Sequence, residues 1–189
     1  MVAQLSTSRV SIQLKLRRII LPLLWLVLSI TSGTQSWAQS SIISPSSIDR
    51  RLEPLSPIDQ QFMAAQRAKV ESLANQLGQQ LTGIPERDLA TLQRILELGF
   101  IAPDDTLQLQ ALGVVLGDLF AAELNMNWIV YRDPAGRSRA LQYGSSEVFL
   151  FPVTMISRRW GVGHQRAVAD IFDSNVATTQ AKLPGANWR

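Results

Sequence analysis

Between Met126 and Tyr143 the chain leaves itself one local solution. "MNWIVYR" and "RSRALQY" alternate apolar and polar residues around "DPAG", a turn with proline second and glycine fourth. A period of two on both sides of a short turn is an antiparallel hairpin. Pairing Arg132 with Arg137 sets Met126, Trp128 and Val130 on the same face as Leu141 and Tyr143. A second short turn, "GSS", leads into "EVFLF" (147–151). Opposing Tyr143 to Glu147 puts Phe149 and Phe151 on that same face, with Val148 and Leu150 on the other. The expectation is a three-stranded antiparallel meander with one strongly apolar side and a second side that is partly covered.

Three helices precede it. Ser56 is a candidate N-cap, Pro57 fits the first helical position, and Asp59 closes a capping box. Phe62, Val70, Leu73, Leu77 and Leu81 share one side at helical spacing, and Gly83 supplies a stop. A second helix starts at Pro85, turns Leu89, Leu92, Ile95 and Leu96 inward, and ends at Gly99. Asp104 or Asp105 caps a third, "TLQLQALGVVLGDLFAAELN" (106–125). There Gly113, Gly117 and Ala121 form a stripe with almost no side chain. A helical glycine costs about 1 kcal/mol relative to alanine, so two of them imply close approach by another element. Asp118, Glu123 and Gln110 argue against a membrane span for this helix.

After the meander, Pro152 suits the first turn of a helix with Val153, Ile156 and Trp160 inward and Arg158 and Arg159 in its last turn. "HQRAVADIFDS" (164–174) reads as a final short helix with Val168, Ile171 and Phe172 inward, before an irregular tail (176–189). The fold class is α+β: N-terminal helices and a glycine-striped helix packed on a three-stranded antiparallel meander, followed by one or two short helices. The single domain spans 57–175, with a core unit at 105–162.

The N-terminus reads differently. Residues 1–18 hold Arg9, Lys15, Arg17 and Arg18 and no acid. The apolar run "IILPLLWLVLSI" follows, and then Ser36 and Ala38 give the small-x-small pattern that signal peptidase reads. A secretory signal peptide (1–38) cleaved after Ala38 is expected. The run is short of the roughly 20 residues that cross a bilayer. "KLRRII" lacks the polar residue that precedes a twin-arginine pair, which favours Sec export. The expected location is exported, periplasmic or secreted, with no membrane span after cleavage. Serine and proline in 39–56 predict a flexible lead-in.

Cleavage removes four basic and no acidic residues from the 18 basic and 15 acidic of the whole chain, leaving 14 against 15. The mature charge supplies no clustered basic face for nucleic acid. The chain has no cysteine and one histidine, His164. This excludes disulfides, thiol catalysis, a lipoprotein anchor and multi-histidine metal sites. No P-loop, dinucleotide fingerprint, serine elbow or EF-hand loop is present, and no cofactor is implied.

The candidate ligand or partner surface is Asp118 with Arg132, Arg137, Arg139, Arg158 and Arg159. Converging arginines hold a carboxylate or phosphate through bidentate contacts. The alternative makes them solvated surface groups and Asp118 an aspartate on a helix edge. His164, just after a glycine turn, is either a base helped by Asp170 or Asp173 or a cap.

"LQALGVVLGDLF", "NWIVYRDPAGRSRALQYG" and "FPVTMISRRW", in this order and spacing, resemble a bacterial family named only as domain of unknown function 3806, over roughly residues 105–162. The resemblance implies a core unit of glycine-containing helix, tryptophan-bearing hairpin and basic helix, and no activity or site. Two functional classes follow. One is an envelope binding or interaction module whose second sheet face and arginines meet a protein, peptide or cell-wall component. The other is a small hydrolase or lyase using carboxylates such as Asp118 and Glu147, with His164.

Overall fold

The glycine stripe decides how the layers meet. In a computed structural model, which describes residues 50–163 and 166–184, the striped helix is α3 (Thr106–Leu124), with a run of buried residues from Ala111 to Gly117. The Asp105 carboxylate caps it by accepting the Gln108 N–H at 3.0 Å. By length and composition α3 is apolar enough to cross a membrane, yet 61% of its most apolar 18-residue window is buried inside the fold. Around it run β1 (Arg51–Pro54), α1 (Pro57–Gln76), α2 (Pro85–Glu97), β2 (Asn127–Asp133), β3 (Gly136–Gln142), β4 (Phe149–Leu150), a 3₁₀ turn (Pro152–Thr154), α4 (Ser157–Trp160) and α5 (Val168–Gln180).

The class is mixed α+β, with the strands in one antiparallel sheet of order β1-β2-β3-β4. Pairing of Arg132 with Arg137 and of Trp128 with Leu141 is the register expected from alternation. The sheet has a fourth strand, β1, drawn from the segment that reads as a lead-in. All four of its residues are exposed, so no buried period marks it. Backbone pairing to β2 alone makes it a strand.

The third-strand register differs from the expectation by one residue. Leu150 opposes Leu141 and Phe149 opposes Gln142, where Tyr143 opposite Glu147 was expected. A one-residue slip exchanges the faces: Leu150 turns inward at 8% exposure while Phe149 faces out. The connection causes it. Ser146 N–H and Oγ–H both donate to the Tyr143 carbonyl (2.9 and 2.7 Å), and Gln142 Nε2 donates to the Ser146 carbonyl (2.9 Å), closing a longer loop than "GSS".

Helix α1 is shorter than expected, and its most buried side is rotated: Val70 is in the core and Leu73, Leu77 and Leu81 pack partly buried against it. Gly78, at φ +67°, ends it, whereas Gly83 lies in the following loop. Asp59, Met63, Gln66, Val70 and Ala74 face the core. Phe62 sits on the rim at 36% exposure beneath the Arg139 guanidinium, 4.0 Å from its ring centre. The cause is an inward-facing aspartate at the helix start, invisible to a hydropathy pattern. After the sheet, the expected helix from Pro152 is split into the 3₁₀ turn and α4, with Ile156 and Trp160 buried as anticipated. Helix α5 continues through Gln180, into the stretch expected to be irregular. Thr179 is buried there and Thr178 Oγ–H bonds the Ser174 carbonyl at 2.7 Å. The signal peptide, His164 and residues 185–189 lie outside the described residues.

Both glycines of the stripe meet a neighbour. A methyl built on Gly113 would lie 2.8 Å from the Pro152 carbonyl oxygen and closer still to Val153. One on Gly117 would lie 2.7 Å from Pro152 Cγ and run into the Trp128 indole. Close approach is thus the reason for the stripe, and the partner is the turn after β4 together with one strand side chain.

Candidate functional site

Strand pairing sorts the polar groups onto two sides of the sheet. Trp128, Val130, Leu141, Leu150, Arg137 and Arg139 share the helix-facing side. Charges on a core-facing side need partners, and Asp59 is the partner. Its carboxylate is 2% exposed and lies 2.5 Å from Arg137 Nη2 and 2.9 Å from Arg139 Nη2. The Ser56 hydroxyl donates to it at 2.6 Å, and the Ser56 N–H at 3.2 Å. The Arg137 hydrogen bond holds the Asp59 carboxyl well below the usual carboxylate range, against the opposing pull of burial and with help from Ser56. The same contact raises Arg137.

Asp118 is engaged too. Arg67 reaches it from α1 in a bidentate pair, Nε to Oδ2 and Nη2 to Oδ1, both 2.7 Å, which raises the arginine's pKa. Trp128 Nε1–H donates to Asp118 Oδ1 at 3.0 Å. The pair, about a third to two fifths exposed, forms one wall of a groove of ≈ 440 Å³ between α1 and α3. Leu81, Val115, Leu119 and Ala122 make it mostly apolar. Asp88, also on this groove, is buried and accepts the N–H groups of Thr82 and Gly83 at 2.8 and 2.7 Å, so it fixes the α1–α2 loop.

Because Asp118 accepts one neutral and two charge-assisted hydrogen bonds at a partly exposed site, its loss is modest. Asp118→Asn or Trp128→Phe is expected to cost about 1 kcal/mol each. In combination they should cost less than the sum, as measured by urea denaturation. Additive losses would mean that the indole and the carboxylate act independently.

The six residues singled out from the sequence are therefore divided. Arg137 and Arg139 converge on Asp59. Arg132 is exposed and pairs with Glu53 at 3.3 Å. Asp118 sits with Arg67. Arg158 and Arg159 stand apart, on a groove of ≈ 420 Å³ with Phe149, Phe151, Thr154 and Met155. Glu147, the other carboxylate considered for catalysis, pairs with Arg50 and does not line the Asp118 groove. Among the described residues no group of three or more acidic or histidine side chains is placed to hold a metal. Sequence reasoning missed Asp59 as an ion-pair centre, together with Arg67. The usable signal was the parity of Arg137 and Arg139, which puts both on the side of Val130.

The opposite side of the sheet is aromatic. Leu52, Ile129, Tyr131, Phe149 and Phe151 lie there, all at least partly exposed, with Phe151 at 39%. Strand β3 contributes Ser138, Ala140 and Gln142 to this side, and the first two are small. Tyr131 therefore reaches across to Phe149 and Phe151, at ring-centre distances of 5.2 and 5.3 Å, edge to face.

No curated protein matches the chain. A crystal structure from Bacteroides thetaiotaomicron VPI-5482 shares the fold at TM-score 0.61 and 20% identity, over 68% of this chain and 48% of that one. The chain thus spans about half the length of that structure. Residues 88–172, from the buried Asp88 to Phe172 of α5, match the model of the family described as Domain of unknown function (DUF3806), which bears out the resemblance read from the glycine helix, the hairpin and the basic helix.

Proposed function

We propose that this chain is an exported binding module that engages a protein or peptide partner in the cell envelope through the outer side of its sheet. The observation that carries this is the solvent-facing cluster of Tyr131, Phe149 and Phe151, extended by Leu52. Aromatic side chains left in water cost free energy unless a partner covers them, and they dominate contact energies when one does. Export rests on the leader-like sequence of residues 1–38. The hydrolase or lyase alternative gains little support, since its two named carboxylates are held by different arginines on different elements.

Two measurements test this. Mass spectrometry of the protein from fractionated cells is expected to give a chain beginning at Gln39. A photocrosslinking amino acid at position 151 is expected to give discrete adducts in intact cells, whereas one at Gln61, exposed on α1, gives none. An unprocessed cytoplasmic chain, or equal labelling from both positions, sinks the proposal.

A further inference from the structure

Beside the outer sheet face, the groove bounded by β4, the 3₁₀ turn and α4 is furnished for one kind of occupant. Phe149, Phe151 and Met155 give it apolar walls, and Arg158 and Arg159 give it charge, with no acidic residue in its lining. Arg50, Arg67, Arg132, Arg137 and Arg139 all have carboxylate partners. Among the described residues, Arg158 and Arg159 have none within 4.0 Å, which is also true of Arg51, Arg87 and Arg94, but those three do not line this groove. Arg159 is also tethered: its Nη1 donates to the Met155 carbonyl at 2.6 Å, which fixes the guanidinium and leaves its other N–H groups free. The groove follows β4, the last strand of the sheet, so among the described residues the far edge of β4 has no neighbouring strand.

We infer that this groove docks an extended acidic segment of a protein partner, which pairs its backbone with the free edge of β4 and places carboxylates on Arg158 and Arg159. The chemistry is complementary at each level. An edge strand offers backbone hydrogen bonds to an incoming chain, and alternate side chains of that chain fall on alternate sides. Those on the Phe149 and Phe151 side meet aromatic rings. Carboxylates that follow the turn toward α4 meet two guanidinium groups for bidentate contact. This assignment rests on the proposed outer-face interaction and specifies the partner's chemistry.

The test uses the processed protein and a fluorescein-labelled peptide of alternating glutamate and valine or phenylalanine, read by fluorescence anisotropy. Three changes are each expected to raise Kd at least tenfold: Arg158→Glu, replacement of every glutamate in the peptide by glutamine, and N-methylation of alternate peptide amides. Arg158 is exposed and has no carboxylate partner among the described residues, so that variant is expected to keep the melting temperature of the parent. Arg132→Glu, on the helix-facing side of the sheet, is expected to leave Kd unchanged. Undiminished binding to Arg158→Glu overturns the inference. So does full binding of the N-methylated peptide, or its displacement by millimolar inorganic phosphate or by phosphatidylglycerol vesicles, because each marks a general anion site. Adducts from position 151 without peptide binding remove this inference and leave the outer-face proposal standing. Loss of the adducts removes that proposal itself.

Discussion

Asp59→Ala is expected to destabilise the domain more than any other single side-chain truncation on its surface-facing helices, by about 2–4 kcal/mol. Two effects combine. The capping box is lost, which exposes the first turn of α1 to fraying. In addition, Arg137 and Arg139 are left on the helix-facing side of the sheet with no counter-charge. A loss of about 5 kcal/mol, as for a fully buried pair, is not reached, because both arginine side chains keep some contact with water, at 32% and 21% exposure. Replacing both arginines with leucine in the Asp59→Ala background should recover part of the loss, since removing an entire buried ion cluster is less costly than breaking it.

The same carboxylate sets an acid limb. Its pKa is depressed on folding, so the folded state binds this proton less readily than the unfolded chain does. The stabilisation is therefore complete above the unfolded value of about 3.9 and is lost progressively as the pH falls below it. Urea titrations at pH 7, 4 and 3 are expected to show a steeper loss for the parent than for Asp59→Asn between pH 4 and 3. Parallel loss in the two proteins would show that other carboxylates set the limb.

Gly113→Ala is the second large effect. In an exposed helix this change stabilises by about 1 kcal/mol. Here the added methyl meets the backbone of Pro152 and Val153, which cannot rotate out of the way as a side chain can. Displacing the 3₁₀ turn also disturbs the seating of Ile156 and Trp160, both buried. The net result expected is a loss of about 1–3 kcal/mol, the opposite sign from helix propensity. Gly117→Ala differs in kind, because the obstacle is mainly the Trp128 indole. It should shift tryptophan fluorescence and weaken the Nε1–H bond to Asp118 along with its stability loss. A more stable Gly113→Ala protein would show that the helix and the turn are not in contact.

How much of this was legible in the sequence follows from what each element's signal depends on. The hairpin register could be read because alternation and a turn of known length overdetermine it. The register of β4 could not, since only two residues pair and the loop closes through side-chain hydrogen bonds of Gln142 and Ser146. The glycine stripe announced a close neighbour but not which one, because contact order along the chain is not written in a helix's own period. The rotated face of α1 escaped for a related reason: an inward aspartate has the hydropathy of a surface residue, and only arginines 78 and 80 residues away make it a core position. Of the six candidate residues, the sequence supplied the types. Which of them neutralise internal charge, and which remain available, depended on tertiary pairing.

The bridge from Asp59 to the hairpin has a consequence for where this domain begins. The segment matching the family model starts at 88, but β1 and α1 lie before it, and Met63, Val70 and Ala74 are fully buried. A polypeptide cut at that boundary would present a bare β2 edge, an unroofed α3 and five arginine–carboxylate pairs each missing one member. The segment that matches the family model and the length of chain that buries these groups are thus different.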